Sequence, residues 1–308
     1  MLVALDWWEN GLYEFELELR EKYPQLNLRA HIANIQDKRT IFTIFQKTKP
    51  DFVFHAAAYK HVPLMEHNPA EAIKNNVIGT WNVARAAKAS GTKKFIFIFT
   101  DKAVHPTSIM GATKAVGEIL IESLNGGRTL FSSVRFGNVL ASHGSVIPLF
   151  KKQILKGGPI TLTHPDMVRY FMSIPEAVQL ILQASRLTKG GEIFVLDMGD
   201  PVRMLDLARD LIRLSGFRPD IDIPITYTGI RPGEKIIEEI LTEQEGVRST
   251  KRVGIFVTTK RLARRYGITK IIKKAHSRKE ANTAHGVRNF LQELLPDYRP
   301  NPTTTPHA

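Results

Sequence analysis

Thr100-Asp101-Lys102 follows directly on the apolar run Phe95-Ile96-Phe97-Ile98-Phe99, and it places an acid, an amine and a hydroxyl side by side. The run reads as a buried parallel strand. Ligands of open α/β sheets bind beyond the carboxyl ends of their strands, so Thr100, Asp101 and Lys102 are expected at the mouth of a site. Met110-Gly111-Ala112-Thr113-Lys114 comes next, and a helix there would put Met110 and Lys114 on one face. Tyrosine at the first of those positions would make a proton-transfer pair with the lysine. A methionine thioether cannot take part.

The elements that must position these groups alternate. Strands are expected at 1–6, 26–35, 51–58, 94–99, 129–140 and 192–198, and helices at 14–23, 39–49, 69–90 and 111–124. Such alternation builds parallel β-α-β units, which predicts an α/β fold with a doubly wound, Rossmann-like sheet. After Gly157 shorter elements follow at 159–162, 175–186, 205–214 and 224–228; Arg231-Pro232-Gly233-Glu234-Lys235 reads as a turn before an amphipathic helix over 236–241. The expected organisation is a dinucleotide-binding domain over 1–140, rejoined by a strand and helix within 172–199. A smaller substrate-binding region takes 141–171 and 200–300, and the Pro- and Thr-rich tail 301–308 is expected to be disordered.

A dinucleotide-binding sheet normally opens with a strand, a Gly-rich turn and a helix whose N-terminus holds the pyrophosphate. Before Gly79 the only glycine is Gly11, so that turn is not in the sequence. Asp6, closing the first visible strand, reads instead as the acid that follows the turn by about 20 residues and contacts the adenosine ribose. The expectation is a chain that starts at the second strand of such a sheet, a loss that threatens both folding and cofactor binding.

With 308 residues, 43% hydrophobic and 24% charged, the chain can bury a substantial core as one large or two modest domains. No apolar run is long enough to span a bilayer, and the N-terminus lacks a signal-peptide pattern. The absence of cysteine excludes disulfides and thiolate metal sites, which fits a cytoplasmic location. No histidine pair has ligand spacing, so no metal is expected. The net charge of +13 draws heavily on Lys251, Arg252, Lys260, Arg261, Arg264, Arg265, Lys270, Lys273, Lys274, Arg278 and Lys279. That stretch has few aromatics for base stacking and no nucleic-acid-binding module, so it reads as a solvated basic face that attracts an anionic substrate.

Several motifs in fixed order carry a family resemblance: His55-Ala56-Ala57-Ala58-Tyr59-Lys60-His61-Val62-Pro63-Leu64-Met65-Glu66, Asn75-Asn76-Val77-Ile78-Gly79-Thr80, Thr100-Asp101-Lys102-Ala103-Val104, Arg135-Phe136-Gly137-Asn138-Val139-Leu140, and Arg231-Pro232-Gly233-Glu234-Lys235. Together they resemble the nucleotide-sugar 4,6-dehydratases of the extended short-chain dehydrogenase/reductase family, in particular the capsule and O-antigen group acting on UDP-N-acetylglucosamine. The resemblance implies bound NADP or NAD, oxidation at C4, loss of water across C5 and C6, and return of hydride to C6. It makes Asp101 the acid for the C6 hydroxyl, Lys102 the base for the C5 proton and Thr100 the contact to the C4 oxygen. Lys114 would hold the nicotinamide ribose. Met110 also occurs in the longer, membrane-anchored branch of this family.

The same resemblance sets His55, Ala56, Ala57 and Ala58 against the adenosine and pyrophosphate, Lys60 towards the cofactor, Tyr59 towards the sugar, and Asn76 as a buttress of the site. Asn138, Arg169, Arg231 and Glu234 would contact the uridine diphosphate, and a homo-oligomer is expected. For each of these residues a purely structural role stays open, as packing, helix surface or ion pair. Phe99, His105, Ala141 and His143 depart from the family pattern. Burial and the neighbouring charge of Lys114 are expected to lower the pKa of Lys102, and a closed apolar site to raise that of Asp101. Two other readings remain: a truncated or degenerate homologue without activity, and a UDP-sugar 4-epimerase.

Overall fold

The computed structural model describes residues 1–308 apart from 141, 143, 243–244, 259–266, 278–282 and 301–308. The expected tail and two of the departures, Ala141 and His143, therefore lie outside the described residues, as do Lys260, Arg261, Arg264, Arg265, Arg278 and Lys279 of the basic stretch.

Five parallel-type strands open the chain: β1 (Leu2–Asp6), β2 (Leu28–Ile32), β3 (Phe52–His55), β4 (Lys94–Thr100) and β5 (Leu130–Phe136). β3, β4 and β5 pair in parallel, Phe97 lying opposite His55 on one side and Ser133 on the other. Ile193–Leu196 joins β5 in parallel, and the antiparallel strands Ile255–Thr258 and Val247–Ser249 complete a six-stranded sheet. The central α/β parallel sheet is thus as the sequence predicts. The two antiparallel strands fall within the stretch assigned to the substrate region, which accordingly divides between the two parts of the molecule.

β1 and β2 pair with each other, Leu2 opposite Leu28, in a separate two-stranded sheet. Neither joins β3, whose Phe52 and Phe54 are 50% and 42% exposed. The expectation of a buried first strand is corrected here: Leu2 and Asp6 are exposed and the residues between them only half-buried. What ties this pair to the body is helix packing. Lys38–Thr48 lies along Thr80–Ser90, and Asn82 Nδ2 donates to the carbonyls of Ile35 and Gln36.

The expected helix over 69–90 is broken into α-helix (Pro69–Ala72), a wider π turn (Ile73–Gly79) and α-helix again (Thr80–Ser90). π turns often mark functional positions, and this one carries Asn76. The helix Ile109–Ser123, capped by the Ser108 side chain on Gly111 N–H, is buried from Ile109 to Ile121. β4 and β5 contact it, and so does the helix Ala284–Leu294. Phe290, Leu291 and Ile271 share a core with Ile109, Met110, Ile119 and Leu120. A second core, of Phe150, Ile154, Ile160, Leu162, Met204 and Ile212, organises the smaller lobe.

No helix forms over 236–241. Val168 N–H donates to Ile236 O, and the Arg169 guanidinium takes the carbonyls of Lys235 and Ile236, so these acceptors are turned away from a helical ladder. Of the basic stretch, Lys270 and Lys274 both pair with Glu293, which reduces the solvated positive face that the sequence suggests. Among the described residues no helix is long and apolar enough to cross a membrane.

Candidate active site

β4 delivers Thr100 and Lys102 to a cleft of about 1110 Å³, with Asp101 buried between them and not in its lining. After Thr100 the chain turns through a short 3-10 segment, Asp101–Ala103, which folds Asp101 inward. Its carboxylate has 0% exposure. Oδ1 accepts from Thr100 Oγ1 at 3.0 Å and from Lys102 Nζ at 2.9 Å, while the buried Oδ2 has no partner. Gly137 packs closely beside it, and a Cβ there would come to 3.2 Å from Oδ2, a contact that the neighbours would have to yield to admit. Gly111 has a similar role: a Cβ would lie 2.1 Å from the Lys102 carbonyl oxygen, so only glycine lets the helix start this close to the acid–base pair.

Lys102 Nζ also donates to Asn138 Oδ1 at 3.1 Å and lies 3.7 Å from Glu238 Oε1. Burial pulls its pKa down, but the Asp101 and Glu238 carboxylates outweigh that, and the amine ends above its ordinary value. The expectation of a lowered Lys102 is corrected by this geometry. It is Lys114 that is lowered, to about 7, by burial, which Glu118 only partly offsets. Lys114 Nζ donates to Ile98 O at 2.8 Å and sits 4.1 Å from the centre of the Phe97 ring.

Thr100, Lys102, Met110, Lys114, Ala56, Ala58, Tyr59, Lys60, Asn138, Arg169, Arg231 and Glu234 all line the cleft. Other expected residues do not. Asp6 is exposed outside it and accepts from Trp8 N–H, and Ala57 is exposed on the loop after β3. His55 is buried, 2.9 Å from Thr80 Oγ1 and stacked on Phe97. Asn76 lies behind the cleft wall with 0% exposure. It accepts from Tyr59 N–H and donates to Tyr59 O and Thr113 Oγ1, fixing the Tyr59 loop to the Lys114 helix. That is a buttress in the literal sense.

Two arginines behave differently. Arg231 forms an ion pair with Glu234 at 2.6 Å on the cleft rim. Arg169 is 8% exposed and spends its guanidinium on the carbonyls of Val168, Lys235 and Ile236. It anchors the 235–238 segment and faces Glu238 at 3.9 Å. His105, a departure from the family pattern, sits at φ 38°, in the left-handed region where asparagine is more at ease, and pairs with Glu239. The residue that sequence reasoning missed is Glu238, buried in the cleft wall.

His55 carries a prediction. Burial, helped by the charge of Lys114, pushes its pKa down to about 3 from 6.5. A depressed folded-state value means that the unfolded chain binds the proton first, so stability is lost as pH falls below the ordinary value towards the folded one. By pH 5 this should cost about 2 kcal/mol relative to pH 7. His55→Gln should remove that component, and urea unfolding of both proteins at the two pH values measures it. Equal pH dependence in both proteins would count against a neutral buried imidazole.

The family model described as "Polysaccharide biosynthesis protein" matches residues 1–260. The chain belongs to this family. Over 246 residues, 79% of the chain, it is 54% identical to the probable polysaccharide biosynthesis protein EpsC of Bacillus subtilis, of which the match covers 41%. The chain thus spans about two fifths of that relative's length. It is also 36% identical over 259 residues to the UDP-glucose 4-epimerase of Rickettsia akari, covering 80% of this chain and 74% of that one. Among solved structures, Pen from Bacillus thuringiensis superposes with a TM-score of 0.75 at 36% identity, over 83% of this chain and 78% of that one. The family's fold is that of the extended short-chain dehydrogenase/reductases, and the described cleft lies where that fold binds its ligands, past the carboxyl ends of β4 and β5.

Proposed function

We propose that this chain carries the acid–base centre of a UDP-N-acetylhexosamine 4,6-dehydratase, with UDP-N-acetylglucosamine as substrate and NADP or NAD as cofactor. The observation that carries the reading is the buried Asp101–Lys102 pair opening on a cleft that Lys114 also lines. Elimination needs a carboxylic acid and a neutral amine on neighbouring carbons. The resting ion pair becomes that combination when a single proton moves along its 2.9 Å hydrogen bond.

From there Lys102 Nζ takes the proton from C5, the electron pair forms the C5–C6 double bond, and the C6–O bond breaks. The leaving hydroxyl departs as water with the Asp101 proton. The ion pair is restored. Thr100 Oγ1 now donates its one proton to Asp101 Oδ1, and turning that proton towards the sugar would give the C4 oxygen its donor; Arg231 and Glu234 on the rim suit a diphosphate and a ribose diol. Met110, packed against Phe290 and its neighbours, supplies apolar wall and no proton.

The dinucleotide, when bound, supplies hydride removal and return. The residues fit its nicotinamide end, where Lys114 lines the cleft with one of its three donors on Ile98 O. They do not fit its adenosine end in the way the sequence suggests, because Asp6 and Ala57 lie outside the cleft and His55 faces Thr80. No catalytic step here is routed through that half. Titration of the chain with NADP and NAD measures the consequence directly, and absence of binding would favour the non-catalytic reading.

Epimerisation at C4 is the second reading, favoured by the identity with the Rickettsia akari UDP-glucose 4-epimerase. The products separate the two. Incubation of the cofactor-loaded protein with UDP-N-acetylglucosamine should yield a ketone lighter by one water, seen by mass spectrometry. An isomer of unchanged mass, from this substrate or UDP-glucose, would overturn the dehydratase reading.

A further inference from the structure

Ile237 and Glu238 reverse the usual placement of their side-chain types. Ile237 is 59% exposed and Glu238 only 4%. Exposing a large aliphatic residue while burying its charged neighbour costs free energy on both counts. The inversion is imposed by backbone geometry: Ile237 bridges to Val168, and the anchoring of residues 235 and 236 by Arg169 and Val168 keeps the segment extended. Successive side chains then alternate, so Ile237 and Glu239 point outward and Glu238 inward. Inside, Glu238 Oε1 lies 3.7 Å from Lys102 Nζ and 3.9 Å from Arg169 Nη2, and the buried Oε2 has no partner. Asp101 Oδ2 is also buried and unpartnered. One amine thus meets two buried carboxylates, Asp101 through Oδ1 at 2.9 Å and Glu238 through Oε1 at 3.7 Å, each with its second oxygen unpartnered.

We propose that Glu238 is a positioning residue of the acid–base centre, holding the Lys102 amine between itself and Asp101 and fixing how strongly that amine keeps its proton. The chemical meaning of this role rests on the dehydration reading. A base with a carboxylate on each side retains the C5 proton once it has taken it, so the same proton is available when the carbon must be reprotonated. The groups facing Glu238 are Lys102, Asp101, Arg169 and Lys235. Of these, only the Lys102 amine must change its charge during elimination in concert with Asp101. Burial holds Glu238 itself above the usual carboxylate range, with Lys102 opposing.

The experiment reads the charge on Lys102 without turnover. The intact chain is acetylated briefly at pH 8 with an isotope-coded reagent, and peptide mass spectrometry compares the rate at Lys102 among variants. Only the neutral amine reacts, so lowering its pKa by about one unit accelerates labelling about tenfold. Glu238→Gln, which keeps the shape and removes the charge, should give that tenfold gain or more, and Glu238→Asp should return the rate towards that of the wild type. Glu239→Gln, on the outward-facing neighbour, should leave the Lys102 rate unchanged. Labelling at Lys114 reports general loosening and should stay constant in all variants. An unchanged Lys102 rate in Glu238→Gln overturns the proposal, as does equal acceleration at Lys102 and Lys114. Neither result depends on the dehydratase reading, which fails separately through the absence of ketone product. In cofactor-loaded enzyme, Glu238→Gln should lower kcat with little change in KM.

Discussion

On the proposed dehydration, replacing Lys102 with alanine in the cofactor-loaded protein should lower kcat for 4-keto-6-deoxy product formation by about 10²–10⁴-fold, the range for losing a positioned acid–base group. The upper end is expected, because two partners fail together. Lys102 is the proposed base, and it is also the donor that holds Asp101 Oδ1 at 2.9 Å. Without it Asp101 remains buried with its other oxygen unpartnered and only Thr100 on the first. Residues that act as a unit are not additive in rate. Asp101→Asn should therefore cost nearly as much as Lys102→Ala, and the double variant little more than either. KM for the UDP-sugar should hardly move, since Arg231 and Glu234 on the cleft rim are untouched. Initial-rate measurements on the three variants test this, and substantial turnover in Lys102→Ala would remove its assignment as the base.

The position of Thr100, Asp101 and Lys102 was legible because it follows from topology. An apolar run flanked by helices must be an inner strand of a parallel sheet, and its carboxyl end must face the ligand side. Thr100, Lys102, Met110 and Lys114 all reach the cleft for that reason. The charge state of Lys102 was not legible. It depends on Asp101 next to it and also on Glu238, which is 136 positions further along and comes close only through an irregular segment. Sequence reasoning placed residues 236–241 on an amphipathic helix, a pattern that cannot register the carbonyls which Val168 and Arg169 claim. At the front of the chain, Asp6 was recognised as a strand-end acid, but β1 and β2 form a sheet of their own and carry it away from the cleft. Pairing between distant strands is a tertiary outcome that the composition of one strand does not encode.

Arg135→Met should be the most destabilising of the substitutions considered, by about 3–5 kcal/mol, because it removes one partner of a buried ion network. Arg135 lies on β5 opposite Phe99, whose ring centre is 5.4 Å from the guanidinium carbon. The guanidinium donates to Glu245 at 2.8 Å and 3.2 Å, to Ile240 O at 3.0 Å and to Glu118 at 3.5 Å. All three charged residues are nearly inaccessible. Even with Arg135 present, burial pushes the Glu118 pKa up to about 7. Without the guanidinium the Glu118 value must rise further, and Glu245 loses its 2.8 Å ion pair. A carboxylate raised above its unfolded value contributes stability that is present below that value and is lost as pH rises through the folded one. The deficit of Arg135→Met should therefore be largest above about pH 7 and shrink as the carboxylates protonate towards pH 5. Adding Glu245→Gln should recover part of it at pH 8 by removing a buried carboxylate beside Glu118 while keeping an acceptor for Thr242 N–H, which Glu245 now holds at 3.0 Å. Chemical denaturation of the single and double variants at pH 5 and pH 8 measures both effects. A loss independent of pH would mean that packing against Phe99, rather than charge, is what Arg135 contributes.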